Sequence, residues 1–254
     1  IVIPDSVTTI GDRAFNSNQI TSINLPSSVT SITGGVFDNN PLTSIIVDSN
    51  NPTYDSRSNS NAIIETSTNT LIQGCKNTTI PNSVLTIGNH AFYGAGLSSI
   101  IIPDSVTTIE MSAFSNNQLT SIVIPDSVTT IGGSAFSYNQ LTSVAIPDSV
   151  TTIDGYVFEY NNLNYVYFEK KSLLNTYASY NFSSSNSTTT NSETGITYVD
   201  NPNLKVIYNN KGKAWDWNLM VNGQRGTSFI TGTTTKRIDG DTIYNAVEVK
   251  TGTP

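Results

Sequence analysis

Residues 102–124 read IPDSVTTIEMSAFSNNQLTSIVI, and the same words recur with small changes over the next 22 residues. The phrase Ile-Pro-Asp-Ser-Val-Thr-Thr-Ile stands at 3–10, 102–109, 124–131 and 146–153, with variants at 25–32 and 80–87. Pro81, Pro103, Pro125 and Pro147 are 22 residues apart, as are Pro4 and Pro26. A phenylalanine follows each phrase (Phe15, Phe37, Phe92, Phe114, Phe136, Phe158), and an Asn-x-Leu-x-x-Ile element follows most of them. Self-similarity at so short a period predicts stacked coils, each burying its apolar side against the next.

The pattern inside one period supports that reading. Leu119, Ile122 and Ile124 share one face of an extended segment, because side chains alternate along a strand. Val128, Ile131, Ala135 and Phe136 supply the apolar residues of the return path. One such unit cannot bury enough apolar surface to offset the entropy of ordering its backbone, so the coils must fold as a stack. The expected fold is therefore a β-rich solenoid of leucine-rich repeats of about 22 residues, with a β-rich C-terminal cap or small module. The consensus IPDSVTTIGxxAFxxNxLTSIxIP resembles the BspA-like class of bacterial and protist surface leucine-rich repeats over residues 1–168. The repeats differ from many members in carrying Asn18, Asn40, Asn117, Asn139 and Asn161 where those have cysteine; one repeat has Ala95. The resemblance implies an extracellular or cell-surface location and adhesion or protein recognition.

Between Phe37 and Phe92 the spacing is 55 residues, and the additional residues lie within 48–79. Ala62–Glu65 and Thr70–Gln73 flank Thr66-Ser67-Thr68-Asn69, which predicts a hairpin. An insertion here reads either as a functional appendage or as a tolerated bulge. Residues 169–193 read as a degenerate repeat and a Ser/Thr/Asn-rich loop, with Ser183–Ser192 as a linker. Asn203–Tyr208 repeats the Asn-Leu-x-x-Ile spacing and predicts one more strand. Residues 194–254 read as a β-rich cap or the start of another module.

Composition narrows the function. The 254 residues are 12% charged and 37% hydrophobic, with a formal net charge of −7. This balance disfavours nucleic acid or anionic lipid as partner. Cys75 is the single cysteine, so no intrachain disulfide staples the fold. No run reaches the roughly 20 apolar residues of a membrane-spanning helix. The chain opens inside the repeated phrase, which reads as a fragment of a longer protein.

Candidate sites follow from the alternation. Positions between the inward aliphatics form an outward stripe, expected on a concave sheet: Ser22, Asn24, Ser44, Ile46, Ser99, Ile101, Ser121, Val123, Ser143, Ala145, Tyr165 and Tyr167. Aliphatics and tyrosines facing outward mark a recognition surface. β-branched residues also simply suit strands. Asp104, Asp126 and Asp148 form a ladder, read as Asx turns in which each carboxylate accepts the N–H two residues on. The asparagine column is expected to bond backbone in the turn before each strand.

Nothing points to catalysis, a metal or a cofactor. His90, the single histidine, shares its repeat position with Arg13, Gly35, Ser112, Ser134 and Tyr156, which reads as a variable surface slot. Trp215 and Trp217 are a possible glycan contact or a capping core cluster. Asn77, Asn181 and Asn186 begin sequons that matter in a eukaryotic secretory host. The expected function is non-enzymatic: an adhesin binding a host, neighbour-cell or matrix protein. The alternative is a structural stalk presenting a C-terminal module.

Overall fold

The computed structural model describes residues 1–163, and beyond them the backbone of short strands between Tyr165 and Arg237. The described residues form coils stacked in sequence order, with two parallel ladders running along the stack. One ladder is built from the Thr-Ile pairs of the repeated phrase. Thr86–Ile87, Thr108–Ile109, Thr130–Ile131 and Thr152–Ile153 pair in parallel, each threonine opposite the next threonine and each isoleucine opposite the next isoleucine. Thr9–Ile10 and Ser31–Ile32 make the same pair at the N-terminal end. The isoleucines face inward, while Thr107, Thr129 and Thr151 lie outside and hydrogen-bond carbonyls of the preceding coil at 3.2–3.3 Å.

The other ladder was expected along every Leu-x-x-Ile-x-Ile segment, and it is interrupted. Ser22–Leu25 pairs with Ser44–Val47, and Ser143–Ile146 pairs with Tyr165–Phe168, which pairs with Lys205–Tyr208. The segments 99–102 and 121–124 belong to no strand. Proline accounts for the difference. The Asp48 N–H donates to Leu25 O at 2.9 Å and closes the first pair. Pro103, Pro125 and Pro147 occupy that position in the middle coils and have no N–H to donate. Glu169 follows Phe168, so the ladder can resume there. Pro26 leaves the first coil with an isolated bridge from Val2 to Asn24.

The inserted residues complete the stack. Ile63–Glu65 and Thr70–Gln73 form the expected antiparallel hairpin, and Tyr54–Asp55 adds a third strand. Thr70–Gln73 then pairs in parallel with Thr86–Ile87, so the hairpin extends the Thr-Ile ladder to seven strands. The hairpin also divides the core. Ile63 packs with Ile23, Phe37 and Ile45, whereas its neighbour Ile64 packs with Leu71, Ile87 and Phe92. Both are fully buried, as alternation on a strand with apolar neighbours on two sides requires. Tyr54 covers the open end of the first ladder, its hydroxyl accepting the Ile32 N–H at 3.0 Å.

The phenylalanines stack along one side. Phe92, Phe114, Phe136 and Phe158 lie at successive centroid distances of 5.2, 5.3 and 5.5 Å, nearly parallel. Phe15 and Phe37 form a separate pair. Gly74 sits between the two stacks. Its N–H donates to Ala91 O at 2.7 Å, the bond that a phenylalanine N–H makes in the other coils. A Cβ on Gly74 would lie 2.0 Å from the Phe92 ring. Farther on, Thr188–Thr190 pairs antiparallel with Thr197–Val199, so part of the tract read as a linker is a hairpin strand. Threonine's β-branch favours that outcome. Lys205–Tyr208 is the extra strand expected from Asn-Leu-x-x-Ile.

Candidate recognition surface

Each turn around a phenylalanine carries two residues in the left-handed region. The pairs are Arg13/Ser17, Gly35/Asn39, His90/Gly94, Ser112/Asn116, Ser134/Tyr138 and Tyr156/Tyr160, with φ between 53° and 68°. The tolerance seen at His90's position therefore reflects a fixed backbone shape that several side chains endure at a small cost. His90 itself is not a variable surface slot. Its Nδ1 lies 2.7 Å from Oδ2 of Asp38, a carboxylate that is 1% exposed, and the pair ties the second coil to the coil after the insertion. Its ring also stacks on Tyr93.

The asparagine column binds one coil to the next. Asn139 Nδ2 donates to Phe114 O, Phe136 O and Ser137 O at 2.9, 3.1 and 3.2 Å, and its Oδ1 accepts the Leu119 N–H at 3.0 Å. Asn117 and Asn161 repeat this arrangement, and Asn40 nearly so. Asn18, in the first coil, is exposed and bonds its own turn alone. At Ala95 the column is interrupted; before the insertion, the Leu42 N–H bonds the carbonyl of Asn40 at 2.8 Å and the Leu42 carbonyl accepts the Lys76 N–H at 3.2 Å. Gly94 is required there because Asn39 Oδ1 would meet its Cβ at 2.3 Å.

The aspartate ladder does not make Asx turns. The N–H groups two residues on, at Val106, Val128 and Val150, donate to the carbonyls of Pro103, Pro125 and Pro147. A backbone turn begun by proline thus takes the donor that the carboxylate was expected to take. The carboxylates of Asp104, Asp126 and Asp148 remain on exposed residues. Among the described residues no group of three or more metal-ligating side chains occurs.

The stripe alternates as expected. Ile23, Leu25, Ile45, Val47, Ile102, Ile122, Ile124, Val144 and Ile146 face the core, while the residues between them face out. Ile101 is 85% exposed, Val123 79% and Ile46 57%. Asn24, Ala145, Ser22, Ser99 and Ser121 are exposed too, and Ser44 and Ser143 are half-buried. Tyr165 and Tyr167 lie in the strand that pairs with Ser143–Ile146, and their side chains lie outside the described residues. Trp215 and Trp217 also lie outside the described residues.

A family model for the BspA type leucine-rich repeat region matches residues 1–75 and 72–189, in six copies. The chain belongs to this family. A solved leucine rich cell surface protein from Faecalibacterium prausnitzii is 32% identical at a TM-score of 0.57, covering 65% of this chain and 46% of its own. Two more solved proteins share the fold. A leucine-rich repeat protein from Eubacterium ventriosum is 22% identical at a TM-score of 0.50, covering 83% of this chain and 48% of its own. The pneumococcal vaccine antigen PcpA is 16% identical at a TM-score of 0.60, covering 83% and 62%. Among curated proteins there is no match. The BspA-type chain thus spans about half the length of the first two of these relatives.

Sequence reasoning missed one group on this BspA-type stack. Tyr138 and Tyr160 stack at 4.2 Å on the turn side, and Tyr138 and Tyr156 are about half exposed. The signal was present in the columns, since their counterparts are mostly serine, asparagine and glycine. Burial against these neighbours pushes the Tyr138 hydroxyl above its ordinary value, with Tyr160 beside it adding to the effect. Cys75 is fully buried in the N-terminal core, and desolvation raises its thiol pKa above the ordinary value. Among the described residues no helix is long and apolar enough to cross a membrane.

Proposed function

We propose that the chain is a non-enzymatic recognition protein, an adhesin that binds a host, neighbouring-cell or matrix protein through the outward stripe. The observation that carries this reading is the exposure of Ile101 and Val123 on adjacent coils, each flanked by buried aliphatics. Large aliphatics held in solvent on a rigid, repeated frame suit a surface that another molecule covers. The solved cell surface relative supports the location. The residues most able to do chemistry are committed elsewhere: His90 is tied to Asp38, and the Cys75 thiol is buried with its pKa raised. Replacing Val123 and Tyr167 with Asp and Glu abolishes adhesion on this reading; adhesion retained by the folded variant would refute it.

The near-identity of residues 102–153 favours a second reading, because a tuned surface usually diversifies at its exposed positions. On that reading the coils are a stiff stalk and the partner, protein or glycan, binds beyond residue 194. Substitution of Trp215 and Trp217, with folding checked, abolishes binding on the stalk reading and leaves it intact on the first.

A further inference from the structure

The stripe and its surroundings define the chemistry of an occupant, and this inference rests on the reading that the stripe is the binding face. Ile101, Val123 and Ala145 follow one another on three adjacent coils. Three residues after each stands an exposed aspartate, Asp104, Asp126 or Asp148, at the corner that ends the same face. The electrostatic bias is one-sided. Between Lys76 and Lys170 the sequence contains no lysine or arginine, whereas Asp104, Glu110, Asp126, Asp148, Asp154 and Glu159 are acidic. An aliphatic row bordered by an acidic row fits a partner with apolar residues along one line and basic residues along the next.

The coil repeat selects that partner's secondary structure. The phenyl rings of these coils repeat at 5.2, 5.3 and 5.5 Å, and the Thr-Ile ladder on the same coils holds them at a strand spacing of about 4.8 Å, so the coil repeat is about 5 Å. An α-helix rises about 5.4 Å per turn, so a helix lying along the stack presents about one apolar side chain per coil and drifts by about 0.6 Å or less at each. A strand presents same-face residues about 6.6–6.8 Å apart, a mismatch of more than about 1 Å per coil that accumulates. A helix is also about 10–12 Å across, wide enough for its flank to reach the aspartate row. We infer that residues Ile101, Val123 and Ala145, with Asp104, Asp126 and Asp148, bind a basic amphipathic α-helix laid along the solenoid axis.

The test uses the full chain and two synthetic peptides of identical Leu/Lys composition, about 18 residues each, long enough for five helical turns. One has leucines at helical spacing and the other has leucine and lysine in strict alternation. Fluorescence anisotropy gives both affinities. The helical peptide is expected to bind at least tenfold more tightly than the alternating one, and more weakly as salt rises. Ile101→Glu with Val123→Glu weakens it at least tenfold. Asp104→Lys with Asp126→Lys abolishes it and creates binding of a Leu/Glu helical peptide. Equal affinity for the two Leu/Lys peptides, or an affinity unmoved by either pair of substitutions, overturns the inference. No binding of either peptide also overturns it, and if the Val123 and Tyr167 substitutions still abolish adhesion, the face stands and the helical occupant alone falls.

Discussion

Replacing Asn139 with alanine tests how the coils are held together. The side chain is buried and makes three donations and one acceptance across two coils. All three of its acceptors keep another donor, because Asn117 also reaches Phe114 O, Asn161 also reaches Phe136 O and the Asn116 N–H also reaches Ser137 O. The Leu119 N–H loses its one partner in a buried site. An orphaned buried donor costs about 1–3 kcal/mol, and the remaining lost bonds about 1 kcal/mol more. Asn139→Ala is therefore expected to lower unfolding free energy by about 2–4 kcal/mol. Asn18→Ala, which removes exposed bonds within one turn, should cost under about 0.5 kcal/mol. Urea denaturation followed by far-ultraviolet circular dichroism measures both. Equal losses would refute the claim that the column works by joining coils.

Other outcomes follow from particular contacts. Gly74→Ala places a methyl 2.0 Å from the Phe92 ring and should cost more than about 3 kcal/mol, partly recovered by Phe92→Leu; an unchanged melting temperature would count against the packing described. Asp126→Asn should leave stability unchanged or slightly higher, since no backbone bond is lost and repulsion along the ladder falls; a large loss in the same denaturation assay would mean the carboxylate has a partner. Cys75's raised pKa favours the neutral thiol in the folded state, so its contribution is complete below the unfolded value of about 8.5 and is lost as pH rises through the folded one. Stability should decline there in the native chain and less so in Cys75→Ala, and a thiol reagent should label Cys75 after unfolding, not before. In hydrogen exchange Val123 should lose protection well before Thr129, whose N–H bonds Thr107 O at 2.8 Å; equal protection would contradict the interrupted ladder.

The features legible in the sequence are those repeated in every coil. Inward isoleucines, stacked phenylalanines and the asparagine column recur at one spacing, and a packed one-dimensional array leaves them one arrangement. The hairpin at 63–73 was legible as well, although its place as a partition between two cores depended on what packs on either side of Ile63 and Ile64. The features that escaped occur once, or depend on a competing acceptor or a missing donor. Asp38 and His90 are 52 residues apart, and their contact exists because the insertion brings two distant turns together. Gly74 resembles any strand-end glycine until the Phe92 ring is seen against it. The aspartates resemble Asx turns in the sequence, but the proline carbonyl before each accepts the same N–H. The stripe was read as one continuous sheet, yet the proline that marks the repeat also removes the donor that would join its middle coils.

The most direct test of the recognition surface is site-specific photo-crosslinking from two positions of one coil. A benzophenone amino acid at position 123 faces the stripe, and one at position 129 faces the threonine side. With the full chain applied to target cells or matrix protein, position 123 is predicted to yield a covalent protein adduct that position 129 does not. An adduct from position 129 alone, or none from 123 while adhesion persists, would contradict the account and move the binding site off the stripe.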